Sequence, residues 1–251
     1  MIKREDLVSR AHLKGLASRL AEIDYLHDVV LLGLSREFGN KLIFKGGTCL
    51  YKVYNLDRFS EDLDFTTEKG FKPKDFFKRL PSFFNLLGIQ SNVKVEEFQR
   101  GINVYVNILG PLYDGRKETI TRLILNLSTR ERILLPVQRV SYQSLYSEIR
   151  SFDLFVMHEK EILAEKIRAI YGRDKARDVY DLWYLLKRRG ISFEERLAKK
   201  KLASVGITFG KKTFSTKVDK KKMSWERDLG GLIAGELPSF ASVKKEIEQS
   251  L

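Results

Sequence analysis

A glycine pair between an apolar strand and a helix constrains the fold of this chain more than any other feature of the sequence. The apolar segment 42–44 predicts a short buried strand, and Gly46-Gly47-Thr48 turns this strand into a helix. The segment 62–65 predicts a second strand, because its acidic and apolar residues alternate. We therefore expect a mixed α/β core in which the free backbone N–H groups of the helix lie at the positive end of its dipole.

Helical and β patterns divide the rest of the chain into two regions. Apolar residues that recur at steps of three and four predict a helix over residues 5–37. Three strands are expected between residues 93 and 128, and two helices at about 159–171 and 175–188. We expect the mixed α/β region to extend to about residue 150, with a helical part after it.

The composition indicates a protein outside the membrane and outside oxidising compartments. Hydrophobic residues make up 43% of 251 residues, which is enough for a sizeable core. The longest apolar run, residues 29–34, is far shorter than the roughly 20 residues that span a bilayer. Residues 1–6 mix both charges, unlike a signal peptide, and the single cysteine excludes an internal disulfide and a four-cysteine metal site. We expect a soluble, cytoplasmic protein with no membrane partner.

The charge balance favours a polyanionic partner, nucleic acid above all. The chain has 46 Lys and Arg against 33 Asp and Glu, a net charge of +13. An alternative is the solvated Lys- and Glu-rich surface of proteins from hot habitats, which explains the total of charged residues better than their imbalance.

The excess of positive charge is concentrated between residues 196 and 222. This stretch contains ten Lys or Arg residues and one Asp, so we predict a flexible tail or a docking surface for nucleic acid. The alternative is a solvated face without a ligand. The predicted nucleic-acid-binding residues are Lys199, Lys200, Lys201, Lys211 and Lys212.

Two acidic residues in the second predicted strand are candidate metal ligands. Residues i and i+2 of a strand point to the same face, so Asp62 and Asp64 project together while Leu63 points away. Adjacent carboxylates repel unless a cation lies between them, and Mg²⁺ or Mn²⁺ accepts such hard oxygen ligands together with substrate phosphates. The alternative is a polar strand edge, since this spacing is common by chance.

The preceding glycines strengthen the metal interpretation. Backbone N–H groups that begin a helix after Gly46 and Gly47 can cradle a triphosphate, while the two carboxylates hold the bridging metal. The alternative is an ordinary strand-to-helix turn that needs small residues. The spacings of a P-loop and of a dinucleotide-binding fingerprint are both absent from this segment.

Three charged residues on the predicted helices complete the set of candidates. Lys166 shares a helix face with Ile162 and Ile170, which suggests that its ammonium reaches a site at the edge of the core. The alternative is a buried stem with its head in water. For Asp178 and Asp181 the alternative is structural pairing with Lys166, Arg173 or Arg177.

Four linked motifs resemble the AbiEii/AbiGii nucleotidyltransferase toxins of abortive-infection and related toxin–antitoxin systems. They are FKGGTCLY at 44–51, RFSEDLDF at 58–65, LAEKIRA at 163–169 and RDVYDL at 177–182. Together they span roughly residues 40–186 in the order found in that family. The resemblance implies an α+β fold: a polymerase-β-like nucleotidyltransferase core, with a small mixed sheet flanked by helices, over 1–150, and a helical C-terminal region over 151–251.

By motif match, the resemblance also implies roles for individual residues. Asp62 and Asp64 would bind Mg²⁺, and Asp178 or Asp181 would complete the catalytic site. The residues expected to contact the nucleotide are Gly46, Gly47, Thr48, Ser60 and Lys166. The implied reaction transfers a nucleotide from an NTP to an acceptor, which in relatives is the 3′ end of tRNA, and an antitoxin is an expected partner.

One departure from the superfamily pattern concerns the third carboxylate, which often lies on a neighbouring strand. The best-placed predicted strand offers Asn126, and an amide cannot accept a proton. Either Glu131 or an Asp within 178–181 substitutes, or the chemistry differs. This departure also supports an alternative function, a non-catalytic protein that binds nucleic acid or a partner on a nucleotidyltransferase scaffold.

Overall fold

The computed structural model describes residues 1–13, 15–67, 71, 74–99, 101–129, 131–233 and 235–251. The chain divides into two compact units. The first unit comprises residues 1–54, 59–132 and 137–156, and the second comprises 55–58, 133–136 and 157–251. Among the described helices, none is both long and apolar enough to cross a membrane.

The first unit is built on a mixed sheet of seven strands among its described residues. The strands are β1 (Leu42–Lys45), β2 (Asp62–Thr67), β3 (Gln90–Phe98), β4 (Gly101–Leu109), β5 (Thr121–Ser128), β6 (Gln138–Tyr142) and β7 (Phe152–Val156). Their order across the sheet is β3-β4-β5-β2-β1-β7-β6. The pairs β2–β5 and β1–β7 are parallel, and the remaining pairs are antiparallel. This arrangement places β2 and β1 near the centre of the sheet.

Alternating side chains explain why the central strands form. Leu123, Leu125 and Leu127 of β5 are buried, and the residues between them are more exposed. The same alternation occurs in β7, where Phe152 and Val156 are buried, but the sequence pattern predicts neither β6 nor β7. Each of these two strands has five residues, which is too short for the alternation to stand out.

Four helices accompany the sheet in the described part of the first unit. They are α1 (Arg4–Leu13), α2 (Ser18–Phe38), α3 (Gly46–Val53) and α4 (Lys74–Leu86). The prediction of one helix over 5–37 is wrong, because Gly15 adopts a φ of 63° and its N–H bonds to the carbonyl of His12 at 3.1 Å. Glycine occupies this left-handed region without steric cost, which ends α1 before α2 begins.

The second unit is helical, as the sequence predicts. Its helices are α5 (Glu159–Gly172), α6 (Ala176–Trp183), α7 (Glu195–Ala203), α8 (Lys211–Asp219), α9 (Trp225–Leu229) and α10 (Phe240–Glu248). A π-helical turn over Tyr184–Arg188 extends α6. The rings of Trp225 and Phe240 pack edge to face with centroids 5.4 Å apart, which holds α9 against α10.

Candidate active site

The two candidate metal ligands lie on one face of β2, in the middle of the sheet. Leu63 is fully buried between them, whereas Asp62 and Asp64 are partly exposed. Asp64 lies opposite Lys45 of the antiparallel strand β1 and opposite Asn126 of the parallel strand β5. Their same-face arrangement follows from the alternation that the sequence predicts.

Gly46 begins α3 directly beside Asp64. Its φ is 76°, which favours glycine, and a Cβ at this position would collide with Oδ2 of Asp64 and lie 2.8 Å from its Cβ. Any side chain at position 46 would therefore displace the carboxylate. The next turn of α3 carries Cys49, the single cysteine of the sequence, which is buried.

Hydrogen bonds hold the carboxylate-bearing strand in place. Asn126 donates from Nδ2 to Oδ1 of Asp64 at 3.0 Å. The hydroxyl of Thr48 donates to the main-chain carbonyl of Asp62, and Thr48 is fully buried. The Thr48 side chain thus supports β2, while Ser60 is buried in the segment that leads into β2.

A support that the sequence did not indicate comes from α2. His27 is buried, and its Nε2 lies 2.8 Å from the main-chain carbonyl of Glu61, the residue before Asp62. The partners are 34 positions apart in the chain, and a histidine on an apolar helix face carries no local signal of such a contact.

The carboxylate that could substitute for Asn126 in the first unit is engaged by a cation. Glu131 forms an ion pair with the ammonium of Lys45, which is itself buried. Asn126 meanwhile donates to Asp64, so the residue at this position of β5 orients a candidate metal ligand.

The candidates in the second unit form a network of ion pairs. The ammonium of Lys166 lies 2.6 Å from Oδ2 of Asp181 and 3.1 Å from Oδ1 of Asp178. Arg58 donates to both carboxylate oxygens of Asp181 at 2.9 Å, and Arg173 donates to Asp178 at 2.7 Å from Nε. The structural pairing that was the alternative for the two aspartates is therefore present, and a catalytic role for them stays a prediction.

The network keeps Lys166 and Asp178 charged. Burial raises the pKa of the Asp178 carboxyl, but the nearby Lys166 and Arg173 outweigh burial and hold this pKa below its usual range. Burial lowers the pKa of Lys166, and the attraction of Asp181 and Asp178 outweighs it and raises this pKa above its usual value. Asp178 is consequently a poor proton acceptor at neutral pH.

The donor set on β2 fits magnesium better than a transition metal. In the part of the chain that the structure describes, no group of three or more His, Cys, Asp and Glu side chains is arranged to hold a metal ion. Asp62 and Asp64 supply two hard oxygen donors, which suits Mg²⁺ because it keeps several waters and takes further ligands from substrate phosphates. A zinc site would need three or four protein ligands.

The basic stretch is folded, which excludes the flexible tail that the sequence allowed. Lys201 is 3% exposed, and its ammonium lies 2.6 Å from Glu161 and 3.0 Å from Glu165 of α5. Lys221 is also buried and donates to the carbonyl of Ile170 at 3.0 Å. The four remaining candidates are exposed on α7 and α8: Lys199, Lys200, Lys211 and Lys212.

Sequence comparisons match the chain to a described family and to a related protein. Residues 30–246 match the family described as nucleotidyl transferase AbiEii toxin of a type IV TA system. The uncharacterized protein aq_aa25 of Aquifex aeolicus is 27% identical over 187 residues, which cover 73% of this chain and 75% of that protein.

Solved structures show the same fold at low sequence identity. MenT4, a nucleotidyltransferase toxin from Mycobacterium tuberculosis, superposes with a TM-score of 0.67 at 20% identity, covering 100% of this chain and 88% of MenT4. JHP933 from Helicobacter pylori superposes with a TM-score of 0.60 at 23% identity, covering 94% of this chain and 91% of that one. The predicted α+β nucleotidyltransferase fold is confirmed.

Proposed function

Because the chain belongs to the AbiEii nucleotidyltransferase toxin family, we propose that it transfers a nucleotide from a magnesium-bound NTP to RNA, with the 3′ end of tRNA as acceptor. Family membership makes the chain a nucleotidyltransferase, and it favours this activity over a non-catalytic protein on the same scaffold. The family is that of type IV toxins, which implies an antitoxin partner as well as an NTP substrate.

The observation that carries the proposal is the close approach of the Asp64 carboxylate to Gly46 at the start of α3. Gly46 leaves space for the Asp64 carboxylate at the end of α3 where backbone N–H groups have no helical partners. These N–H groups attract the triphosphate, and Asp62 and Asp64 would hold Mg²⁺ beside it. Gly46 and Gly47 thus serve phosphate binding, and the Thr48 side chain keeps Asp62 in place.

In the proposed reaction, the hydroxyl oxygen of the acceptor bonds to the α-phosphorus of the NTP. The bond from this phosphorus to the bridging oxygen breaks, and pyrophosphate leaves with the electron pair. When bound, Mg²⁺ neutralises charge on the phosphate oxygens and on the departing pyrophosphate. The hydroxyl proton passes to water, since Asn126 cannot accept it and Glu131 is paired with Lys45.

For Lys166 we propose a contact with the nucleotide, by motif match. Lys166 carries a charge held by Asp181 and Asp178, so its ammonium is fixed in direction before any ligand arrives. Ser60 lies in the same motif as the metal ligands and is proposed to line the nucleotide site by motif match.

The proposed acceptor contacts are the exposed cations of α7 and α8. Lys199, Lys200 and Arg196 line an open depression of about 520 Å³ on the surface of α7. Phosphates of an RNA backbone are attracted by such a group of cations without regard to sequence.

Transfer of labelled nucleotide tests the proposal. Purified protein is incubated with each labelled NTP, with total RNA or purified tRNA, and with Mg²⁺, Mn²⁺ or a chelator. We expect labelled RNA only with a divalent metal, and a loss of at least 100-fold in Asp64→Asn, because an amide replaces a charged metal ligand. Asp153→Asn is the matched control, since Asp153 of β7 pairs with Arg139 at the surface of the same sheet. Equal labelling by wild type and Asp64→Asn would contradict the assignment, and labelling of total RNA but not of tRNA would contradict the acceptor alone.

A further inference from the structure

Two consecutive main-chain carbonyls at the start of β2 are held by side chains from two different helices. His27 of α2 contacts the carbonyl of Glu61 at 2.8 Å, and Thr48 of α3 donates to the carbonyl of Asp62. Both side chains are fully buried. The two contacts fix the peptide groups on either side of the Asp62 α-carbon, and therefore the direction in which its carboxylate leaves the strand.

The contact defines the protonation of the His27 ring. A carbonyl oxygen can only accept a hydrogen bond, so Nε2 carries the proton and Nδ1 of the neutral ring does not. Nδ1 is buried without a hydrogen-bond partner in the described part of the structure. A buried nitrogen without a hydrogen-bond partner lowers the stability of the fold, whereas an apolar side chain of similar size would not. Packing alone therefore does not explain an imidazole at this position.

The ring also packs on the segment that it holds. The rings of His27 and Phe59 are nearly parallel, at 10°, with centroids 6.4 Å apart. Phe59 in turn meets Tyr51 of α3 edge to face at 5.3 Å. Since α2 is a 21-residue helix with most of its side chains buried, the ring ties the segment before β2 to a rigid element.

We propose that His27 is a positioning residue for nucleotidyl transfer: its Nε2–H holds the Glu61 carbonyl and thereby aims the Asp62 carboxylate at the metal position. This inference rests on the proposed function. His27 would touch neither substrate nor metal, so it acts through the backbone of β2. Magnesium requires near-ideal octahedral geometry, and a small displacement of one ligand is therefore costly.

Two substitutions separate the hydrogen bond from packing. His27→Leu removes the donor and also the unpartnered Nδ1, while His27→Gln places an amide N–H close to the position of Nε2. Tyr25→Phe is the matched control. Tyr25 also lies on α2, and its hydroxyl accepts a buried hydrogen bond from the N–H of Ile2. Melting temperatures are recorded for all variants.

The first readout is binding of Mn²⁺ to the chain without nucleotide, measured by electron paramagnetic resonance. We expect His27→Leu to weaken Mn²⁺ binding at least fivefold, with His27→Gln within twofold of wild type and Tyr25→Phe unchanged. The second readout is the Mg²⁺ dependence of nucleotide transfer. There we expect kcat to fall at least tenfold in His27→Leu, with little change in the KM for NTP.

The outcomes distinguish this inference from the proposed function. Wild-type Mn²⁺ affinity in His27→Leu would overturn the inference, and so would an equal loss in His27→Leu and His27→Gln. If the leucine variant does not fold, His27→Phe replaces it, since phenylalanine keeps the ring stack and lacks the donor. If no NTP is transferred by wild type but Mn²⁺ binding follows the expected order, the proposed function fails, and only the part of the inference in which His27 positions Asp62 for the metal stands.

Discussion

At the scale of the residue, Gly46 shows how backbone and side-chain requirements coincide at one position. Its positive φ would strain any other residue, and the space beside it belongs to Asp64. Gly88 provides a comparison, because it has a similar φ of 69° and nothing within 4 Å of an added Cβ. The two glycines share the positive φ, and they differ in the space around an added Cβ.

We expect Gly46→Ala to lower the rate of nucleotide transfer at least 100-fold, because the added Cβ displaces Asp64. Gly88→Ala should cost only the backbone strain, roughly 1–2 kcal/mol of unfolding free energy, and should leave transfer unchanged. Urea unfolding and the labelling assay measure the two effects. Similar activity losses in both variants would mean that strain, not the carboxylate, determines the need for glycine at position 46.

His27 gives the unfolding free energy a specific dependence on pH. Burial, aided by the ammonium of Lys52 and opposed by Asp24, lowers the pKa of the His27 ring to about 3. Between pH 6.5 and about 3 the unfolded chain binds a proton at this side chain that the folded chain does not, so stability falls as the pH falls.

From this shift we expect the free energy of unfolding to fall by about 2 kcal/mol on account of His27 when the pH is lowered from 7 to 5. His27→Gln has no titrating group at this position, so its urea-unfolding free energy should fall by about 2 kcal/mol less over the same interval. The comparison cancels all groups common to both proteins. An identical decline in both would show that the ring is not buried in its neutral form.

At the scale of the element, α7 presents cations on two faces with different environments. Lys199 and Lys200 are exposed, whereas Lys201 points inward beside Leu197 and bonds to Glu161 and Glu165. A count of lysines along the sequence treats these residues alike, but the helical period separates them. Binding of polyanions should therefore depend on only part of the basic stretch.

We expect neutralisation of the four exposed lysines to glutamine to weaken tRNA binding and to flatten its dependence on salt. Each lost phosphate contact lowers the slope of log K against log salt by roughly 0.7–0.9, so four contacts lower it by about 3. The substituted residues are Lys199, Lys200, Lys211 and Lys212. Fluorescence anisotropy at several salt concentrations gives the slope, and an unchanged slope would place the acceptor elsewhere.

Lys201→Gln is the control for this experiment. This substitution removes a buried ammonium that pairs with Glu161 and Glu165, which we expect to cost about 3–5 kcal/mol of unfolding free energy. The salt slope of the remaining folded protein should not change. Loss of slope without loss of stability would mean that this ammonium reaches the RNA.

At the scale of the whole molecule, the sequence predicts what depends on neighbouring residues and misses what depends on distant ones. The turn at Gly46-Gly47 and the shared face of Asp62 and Asp64 follow from local rules of helix starts and strand alternation. The pairing of Arg58 with Asp181 joins residues 123 positions apart, and no local pattern encodes it. The same holds for the partners of His27 and Lys201. The domain boundary at residue 150 and the individual site roles stay predictions.

The buried thiol of Cys49 makes the opening of α3 measurable in the unaltered protein. Thiol reagents modify an exposed thiolate, so Cys49 reacts only during the fraction of time in which its helix is open. The labelling rate is therefore proportional to the open fraction of α3, the helix whose first turn is proposed to bind phosphate. If the triphosphate binds at the first turn of α3 as proposed, bound nucleotide would hold this helix closed by mass action, and magnesium ATP at ten times its dissociation constant should slow labelling roughly tenfold. A rate that does not respond to nucleotide would show that the triphosphate binds away from α3.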